Sequence, residues 1–264
     1  MSLGFTVEEL VPAARGGRAL AMGLTRVAES DWLFPDPDTV ARDAVFDRHP
    51  DAVEVLPEGG AAAREAAMLV AGEPTLERAA RRVWEDLCVL EPRGEQYVLT
   101  GGALGFPTHW RLQDKLGLAM PAIHVPIDGY AEQLSAGVDH FFRTVAAGPI
   151  FGRANLFVVP TDAWRYQPSA TPEQRFEGLD PATAGTRLFV RCERQTLRRL
   201  PETGAMLFTI GIAVAALDVL SPRVVRRVAD AVTKMPPGEQ ARRGTSFYVD
   251  ALTAYAARRE GEAA

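Results

Sequence analysis

Between residues 187 and 197 apolar and polar side chains alternate. One parity carries Leu188, Val190 and Cys192, and the other carries Phe189, Arg191, Glu193 and Gln195. Strand side chains point alternately to opposite faces, so this pattern predicts a strand with one face ready to pack and one polar face. An apolar run follows at 206–216. A polar face so close to it is either solvated or lines a pocket. Strands are also expected at 96–99, 150–159 and 206–214.

Helical spacing marks other segments. Asp36 or Asp38 can cap a helix over 36–49 that carries Val40, Ala44 and Phe46. The alanine-rich stretch 61–71 reads as a second helix. Pro74 suits the first turn of a third, running through Leu87 with Leu76, Ala79, Ala80, Val83, Trp84 and Leu87 on one side. Tyr130, Leu134, Val138, Phe141, Phe142 and Val145 predict a helix over 127–145. Ser221 can cap one starting at Pro222, which Pro236-Pro237-Gly238 would stop, and a last helix is expected at 247–259. Gly101, Gly102 and Gly105 read as turn residues, 168–185 as a loop, and Pro126 excludes an ordinary central strand at 123–127. The sum is a single α+β domain over 1–264: a mostly antiparallel sheet with flanking helices at both ends. Residues from about 20 to 220 would form the core, and 221–264 the C-terminal helices.

Composition narrows the function classes. The chain has 264 residues, 47% hydrophobic and 24% charged, with a net charge of −5. Bulk attraction to nucleic acid or to an anionic membrane is not expected. The two cysteines, Cys88 and Cys192, make neither a disulfide framework nor metal-site spacing. The greasiest segment, 206–220, is too short to span a membrane and contains Gly211 and Asp218. A cytoplasmic location is expected. HExxH, GxxxxGK, GxSxG and GxGxxG motifs are absent from the sequence.

Of four histidines, His49 reads as a helix-end residue, His140 as a surface residue and His109 as part of a turn beside Trp110. His124 stands between Ile123 and Val125 and is either hydrogen-bonded in the core or a ligand. Arg153, alternating with Asn155, is either a surface residue or one that meets an acidic group such as a cofactor carboxylate. Glu193, among Arg191, Arg194, Arg198 and Arg199, belongs to an ion-pair network or holds an amine.

In chain order, several short runs resemble one known family. They are Met22-Gly23-Leu24, Glu85-Asp86-Leu87-Cys88, Gly105-Phe106-Pro107-Thr108-His109-Trp110, Asp114-Lys115-Leu116-Gly117, Ile123-His124-Val125-Pro126, Arg153-Ala154-Asn155 and Glu193-Arg194-Gln195-Thr196-Leu197-Arg198-Arg199-Leu200-Pro201, closed by residues 204–210. The set resembles the heme-binding α-subunit of heme-dependent oxidative N-demethylase and its relatives, over about residues 20–220. The resemblance implies an elaborated PAS-like domain around heme b, in which dioxygen oxidises a small secondary amine to a demethylated amine and formaldehyde. Electrons would come from a separate flavin and iron–sulfur reductase, since the chain carries neither a flavin fingerprint nor a cysteine set for a cluster.

By position, the resemblance makes His124 the proximal ligand of the heme iron. Arg153 and Arg198 become candidates for heme propionate pairing, and Glu193 and Arg194 for the polar, catalytic side of the pocket. Trp110 falls among the cofactor-binding positions, and Lys115 matches the pattern as well. Three positions depart from it: Leu156, Gly105 and Gly211 stand where the family has tryptophan, cysteine and arginine. If those positions line the pocket, they imply a larger or less polar substrate, an amine or amino-acid-like molecule. Two other classes remain open, a non-catalytic heme or ligand sensor and a heme-less structural subunit.

Overall fold

A computed structural model describes residues 3–11, 22–125 and 130–262. Pro126 and the expected helix start at Ile127 lie outside the described residues. Seven strands are ordered β1-β5-β6-β7-β3-β4-β2, with every neighbouring pair antiparallel. They are β1 Thr25–Val27, β2 Val53–Val55, β3 Asp86–Arg93, β4 Gln96–Ala103, β5 Ile150–Val159, β6 Phe189–Arg199 and β7 Met206–Ala216. The helices in chain order are α1 Val7–Leu10, α2 Thr39–Arg48, α3 Gly60–Ala71, α4 Leu76–Ala80 and α5 Met120–Ile123. A π-turn, Ala131–Ser135, runs into α6 Ala136–Thr144. Then come α7 Pro172–Arg175, α8 Ala184–Arg187, α9 Pro222–Thr233, α10 Pro237–Arg243 and α11 Val249–Glu262. This is the expected α+β class. No helix among the described residues is long and apolar enough to cross a membrane.

Strand parity builds two unlike sides. On one side Val190 and Cys192 of β6 and Leu156 and Val158 of β5 pack against Val225 and Val228 of α9 and Leu252 and Tyr255 of α11. Further along that side Leu87, Val89 and Leu207 meet the alanines of α3 and α4. Those small side chains let helix and sheet approach closely. The second side packs Cys88, Leu90, Leu99 and Met206 against Tyr130, Val138 and Phe142, and carries the row Arg191, Glu193, Gln195. That row is buried, so the polar parity of β6 is an interior lining rather than a solvated face.

Three local expectations are corrected. The helix expected through Leu87 stops at Ala80, and its last residues enter β3. Leu87-Cys88-Val89-Leu90 is buried on both faces, and a continuous apolar run has no period by which to tell strand from helix. Gly101 and Gly102 lie inside β4, not in a turn; a Cβ at Gly102 would come within 2.7 Å of Leu112 Cδ1. The 168–185 segment contains α7 and the start of α8. The helix begun at Pro222 ends at Thr233, just before Pro236-Pro237-Gly238 as expected, and Pro237 also opens α10, because proline is at ease in a helix's first turn.

One buried ion pair ties these parts together. Arg42, inside α2, donates from Nη1 to Asp86 Oδ1 at 2.8 Å, from Nε to the Ala80 carbonyl and from Nη2 to the Glu85 carbonyl. Asp86 also accepts the backbone N–H groups of Gly105 and Phe106. A Cβ at Gly105 would stand 2.7 Å from Arg42 Nη1. A cysteine at 105 would therefore collide with the pair.

Candidate functional site

The second side of the sheet changes texture at β5. Ile150, Gly152, Leu156 and Val158 point to the dry side and are buried, whereas Phe151, Arg153, Asn155 and Phe157 are only half-buried. Their register partners on β6 are Leu197, Gln195, Glu193 and Arg191. Across this row a polar chain forms. Arg153 Nε donates to Gln195 Oε1 at 2.8 Å, Gln195 Nε2 donates to Glu193 Oε2 at 2.9 Å, and Asn155 Nδ2 reaches the same oxygen at 3.4 Å. Arg153 Nη1 donates to the Met22 carbonyl. Glu193 is 6% exposed, and its hydrogen-bond partners are the uncharged amides of Asn155 and Gln195. Arg153 and Glu193 attract each other without direct contact.

Helix α5 brings His124 to this face. The residue is the C-cap of α5, and its Nδ1 lies 2.8 Å from the Met120 carbonyl. A carbonyl only accepts, so Nδ1 carries the proton and Nε2 keeps its lone pair. The ring stacks on Tyr130 with centroids 4.3 Å apart and planes 7° from parallel. Burial pushes the imidazole pKa down to about 4, and Lys115 and Arg153 oppose its protonation further. The neutral ring is the form that can bind a metal. The Tyr130 hydroxyl is buried without a hydrogen-bond partner.

Lys115 lies over the ring of Trp110, with Nζ 4.7 Å from its centroid. Burial lowers its pKa, while Cys88 and then Glu193 favour its charged form. Among the described residues Lys115 has no carboxylate at ion-pair distance. Trp110, Leu197, Phe208, Phe141, Met120 and Ile123 are partly buried at the edge of the apolar cluster beneath. His124, Arg153, Glu193, Lys115 and Trp110 thus belong to one neighbourhood.

Arg194 and Arg198 do not. Both have the opposite parity on β6 from Glu193, so they project through the other face of the sheet. Arg194 donates to the backbone carbonyls of Gly4, Trp32 and Asp31, and its guanidinium covers the Phe5 ring at 4.3 Å. Arg198 pairs with Glu29 at 2.6 Å and covers Trp32. Both fasten the N-terminal segment to the sheet. Among the described residues Glu193 forms no ion pair with these arginines either. Arg191, fully buried, binds Thr108 Oγ1 and the carbonyls of Phe106, Ala163 and Trp164. Arg199 binds the carbonyls of Val145, Gly204 and Phe142. The sequence reading had no signal for Tyr130, and Asn155 showed only in its alternation with Arg153.

The three departures from the family pattern also lie away from this site. Leu156 packs in the dry core and Gly105 stands beside Arg42. Gly211 faces Glu85, in a small cavity shared with Arg194 and Phe5. None of them enlarges the space beside His124, so the expected link from these positions to a larger substrate is withdrawn.

That small cavity yields a pH prediction. Glu85 Oε1 accepts the Phe34 N–H at 2.8 Å, and Oε2 is buried without a partner. Burial raises the carboxyl's pKa, against the pull of two backbone amides and of Arg194 and Arg42. A carboxyl whose folded pKa is raised contributes stability that is present below its unfolded pKa and lost as pH rises through the folded value. Glu85→Gln is therefore expected to melt higher than the parent above neutral pH, with the gap closing as the buffer is acidified. Parallel melting curves in acid and alkali, with an unchanging gap, would contradict it.

His109 has φ +63, a left-handed conformation that costs an L side chain about 1 kcal/mol. Its N–H donates to the Tyr166 carbonyl and its ring meets Tyr166 edge-on. Because alanine loses the ring contact without relieving the backbone, His109→Gly is expected to be about 1 kcal/mol more stable than His109→Ala by denaturant titration.

The sequence profile described as "Haem-dependent oxidative N-demethylase, alpha subunit-like" matches residues 44–253. The chain belongs to this family. Trp110, Lys115, His124, Arg153 and Glu193 all fall within the matched span. The segment held by Arg194 and Arg198 precedes it. No curated protein matches the chain. The family's name points to heme dependence and to oxidative N-demethylation.

Proposed function

We propose that the chain is a heme b-dependent oxidoreductase of PAS-like fold that uses dioxygen to oxidise an amine, with electrons delivered by a separate flavin and iron–sulfur reductase. The observation that carries this reading is the imidazole of His124: anchored at Nδ1, neutral, and with no partner for Nε2 among the described residues. Among the described residues no three His, Cys, Asp or Glu side chains converge as metal ligands. An iron held here by one protein nitrogen needs the rest of its ligands from another source, as a porphyrin provides.

The other residues suit the same group. Arg153 is a half-buried cation with no ion-pair partner among the described residues, free to meet a propionate. Trp110, Leu197, Phe208 and Phe141 offer apolar contact to a flat macrocycle. When bound, heme iron supplies dioxygen activation and one-electron chemistry. The chain's own part is to hold and orient. His124, fixed by Met120 and Tyr130, presents its lone pair at one angle. Glu193, steadied by Asn155 and Gln195, attracts the amine as an ammonium. The closely packed sheet beneath limits water.

The test is the absorption spectrum of the purified chain, oxidised and reduced, with and without carbon monoxide. A Soret band that shifts with carbon monoxide, and reductant consumption with an added reductase and a panel of amines, is the expected result. Spectral shifts without turnover would make the protein a sensor. Absence of heme after expression with ample iron and precursor would overturn the reading.

A further inference from the structure

We propose that the substrate is a zwitterion, an N-alkyl amino acid rather than a simple amine: Lys115 takes its carboxylate and Glu193 its ammonium. This rests on the reading of this face as the amine site. Two charges of opposite sign, the half-buried Lys115 and the buried Glu193, attract each other yet form no ion pair among the described residues. Glu193 is held by the neutral amides of Asn155 and Gln195, which steady the carboxylate without cancelling its charge. Lys115 rests on the Trp110 ring, an interaction far weaker than a carboxylate would supply. A buried charge without a counter-ion is costly, and a molecule carrying one charge of each sign relieves both costs at once.

The charge count favours the zwitterion. With His124 neutral and the Arg191 guanidinium taken up by Thr108 and backbone carbonyls, the charged groups left for a ligand on this face are two cations, Lys115 and Arg153, and one anion, Glu193. A propionate satisfies Arg153. A simple ammonium then satisfies Glu193 and leaves Lys115 bare, whereas an amino acid satisfies both. The rival use of Lys115 is to bind the second propionate, in which case it would govern heme retention and not substrate choice.

Calorimetry on the purified full chain, as isolated, decides between them, with N-methylglycine, N-methylalanine, dimethylamine and acetate as probes. The N-methyl amino acids are expected to bind at least about tenfold more tightly than dimethylamine or acetate. Lys115→Met is expected to abolish that preference while heme content stays at the parental level, and Lys115→Arg to restore part of it. Glu193→Gln should weaken dimethylamine and the amino acids alike. Equal affinity for dimethylamine and the amino acids, binding of none of the four probes, or loss of heme in Lys115→Met with the preference intact would each overturn the proposal. Heme content is read by absorbance in the same samples. Failure of the heme reading is thus seen separately from failure of the zwitterion reading, because the calorimetric preference does not depend on turnover.

Discussion

His124→Gly is expected to yield folded protein that has lost its Soret band, and imidazole added to the buffer is expected to bring the band back. The argument is local. His124 ends a short helix and is half-buried, with φ −103 and ψ 6, a conformation open to glycine. Its removal costs the stacking on Tyr130, about 1 kcal/mol, and little else from the fold. It also deletes the one side chain on this face with an uncommitted imidazole nitrogen. Heme affinity should fall by at least about a hundredfold, beyond what loss of a supporting hydrogen bond alone produces. A free imidazole can enter the vacated space beneath Tyr130 and ligate from there. A variant that keeps the parental spectrum would exclude His124 as the ligand.

Asp86→Ala is expected to be the most damaging substitution in the fold. It leaves the Arg42 guanidinium buried with a full charge, facing carbonyls and the rings of Phe46 and Phe106 but no anion, and it strips the acceptor from the Gly105 and Phe106 amides. Breaking a buried pair from one side costs roughly 3–5 kcal/mol. For a chain of this size that lowers the melting temperature by about 10 °C. Arg42→Met combined with Asp86→Ala should recover much of the loss, since an apolar pair of similar volume needs no counter-ion. If the double variant melts no higher than the single, the damage comes from the two orphaned amides and not from the charge.

Periodicity made much of this architecture legible. The alternation along β6 separated a packing row from a polar row, and Ser221 with the valines of α9 marked a helix that the structure contains. The polar row's burial was not legible, because the layer above it comes from distant loops: Phe106 to Trp110 and Ala163 to Trp164, both held by Arg191. Strand β3 was hidden because burial on both faces erases alternation. In the site, residue types suggested His124, Arg153 and Glu193 but could not choose between ligand and core. Arg194 and Arg198 were grouped with Glu193 by closeness in sequence, although parity alone assigns them to the other face. The partnership of Lys115 with Trp110, five residues apart, depends on the turn that joins them.

Strand β6 therefore does two jobs with alternate residues. Odd positions line the face that carries His124 and Arg153, and even positions bolt on the N-terminal segment and the helices. Substitutions at Gln195 or at its neighbour Asn155 can retune chemistry while leaving the bolts alone, so selectivity can drift through point changes. A single inserted or deleted residue would exchange the two jobs over the rest of the strand, turning Arg194 onto the face that holds His124 and Glu193 into the dry layer. Evolution of this protein is free in the letters of that strand but not in its length.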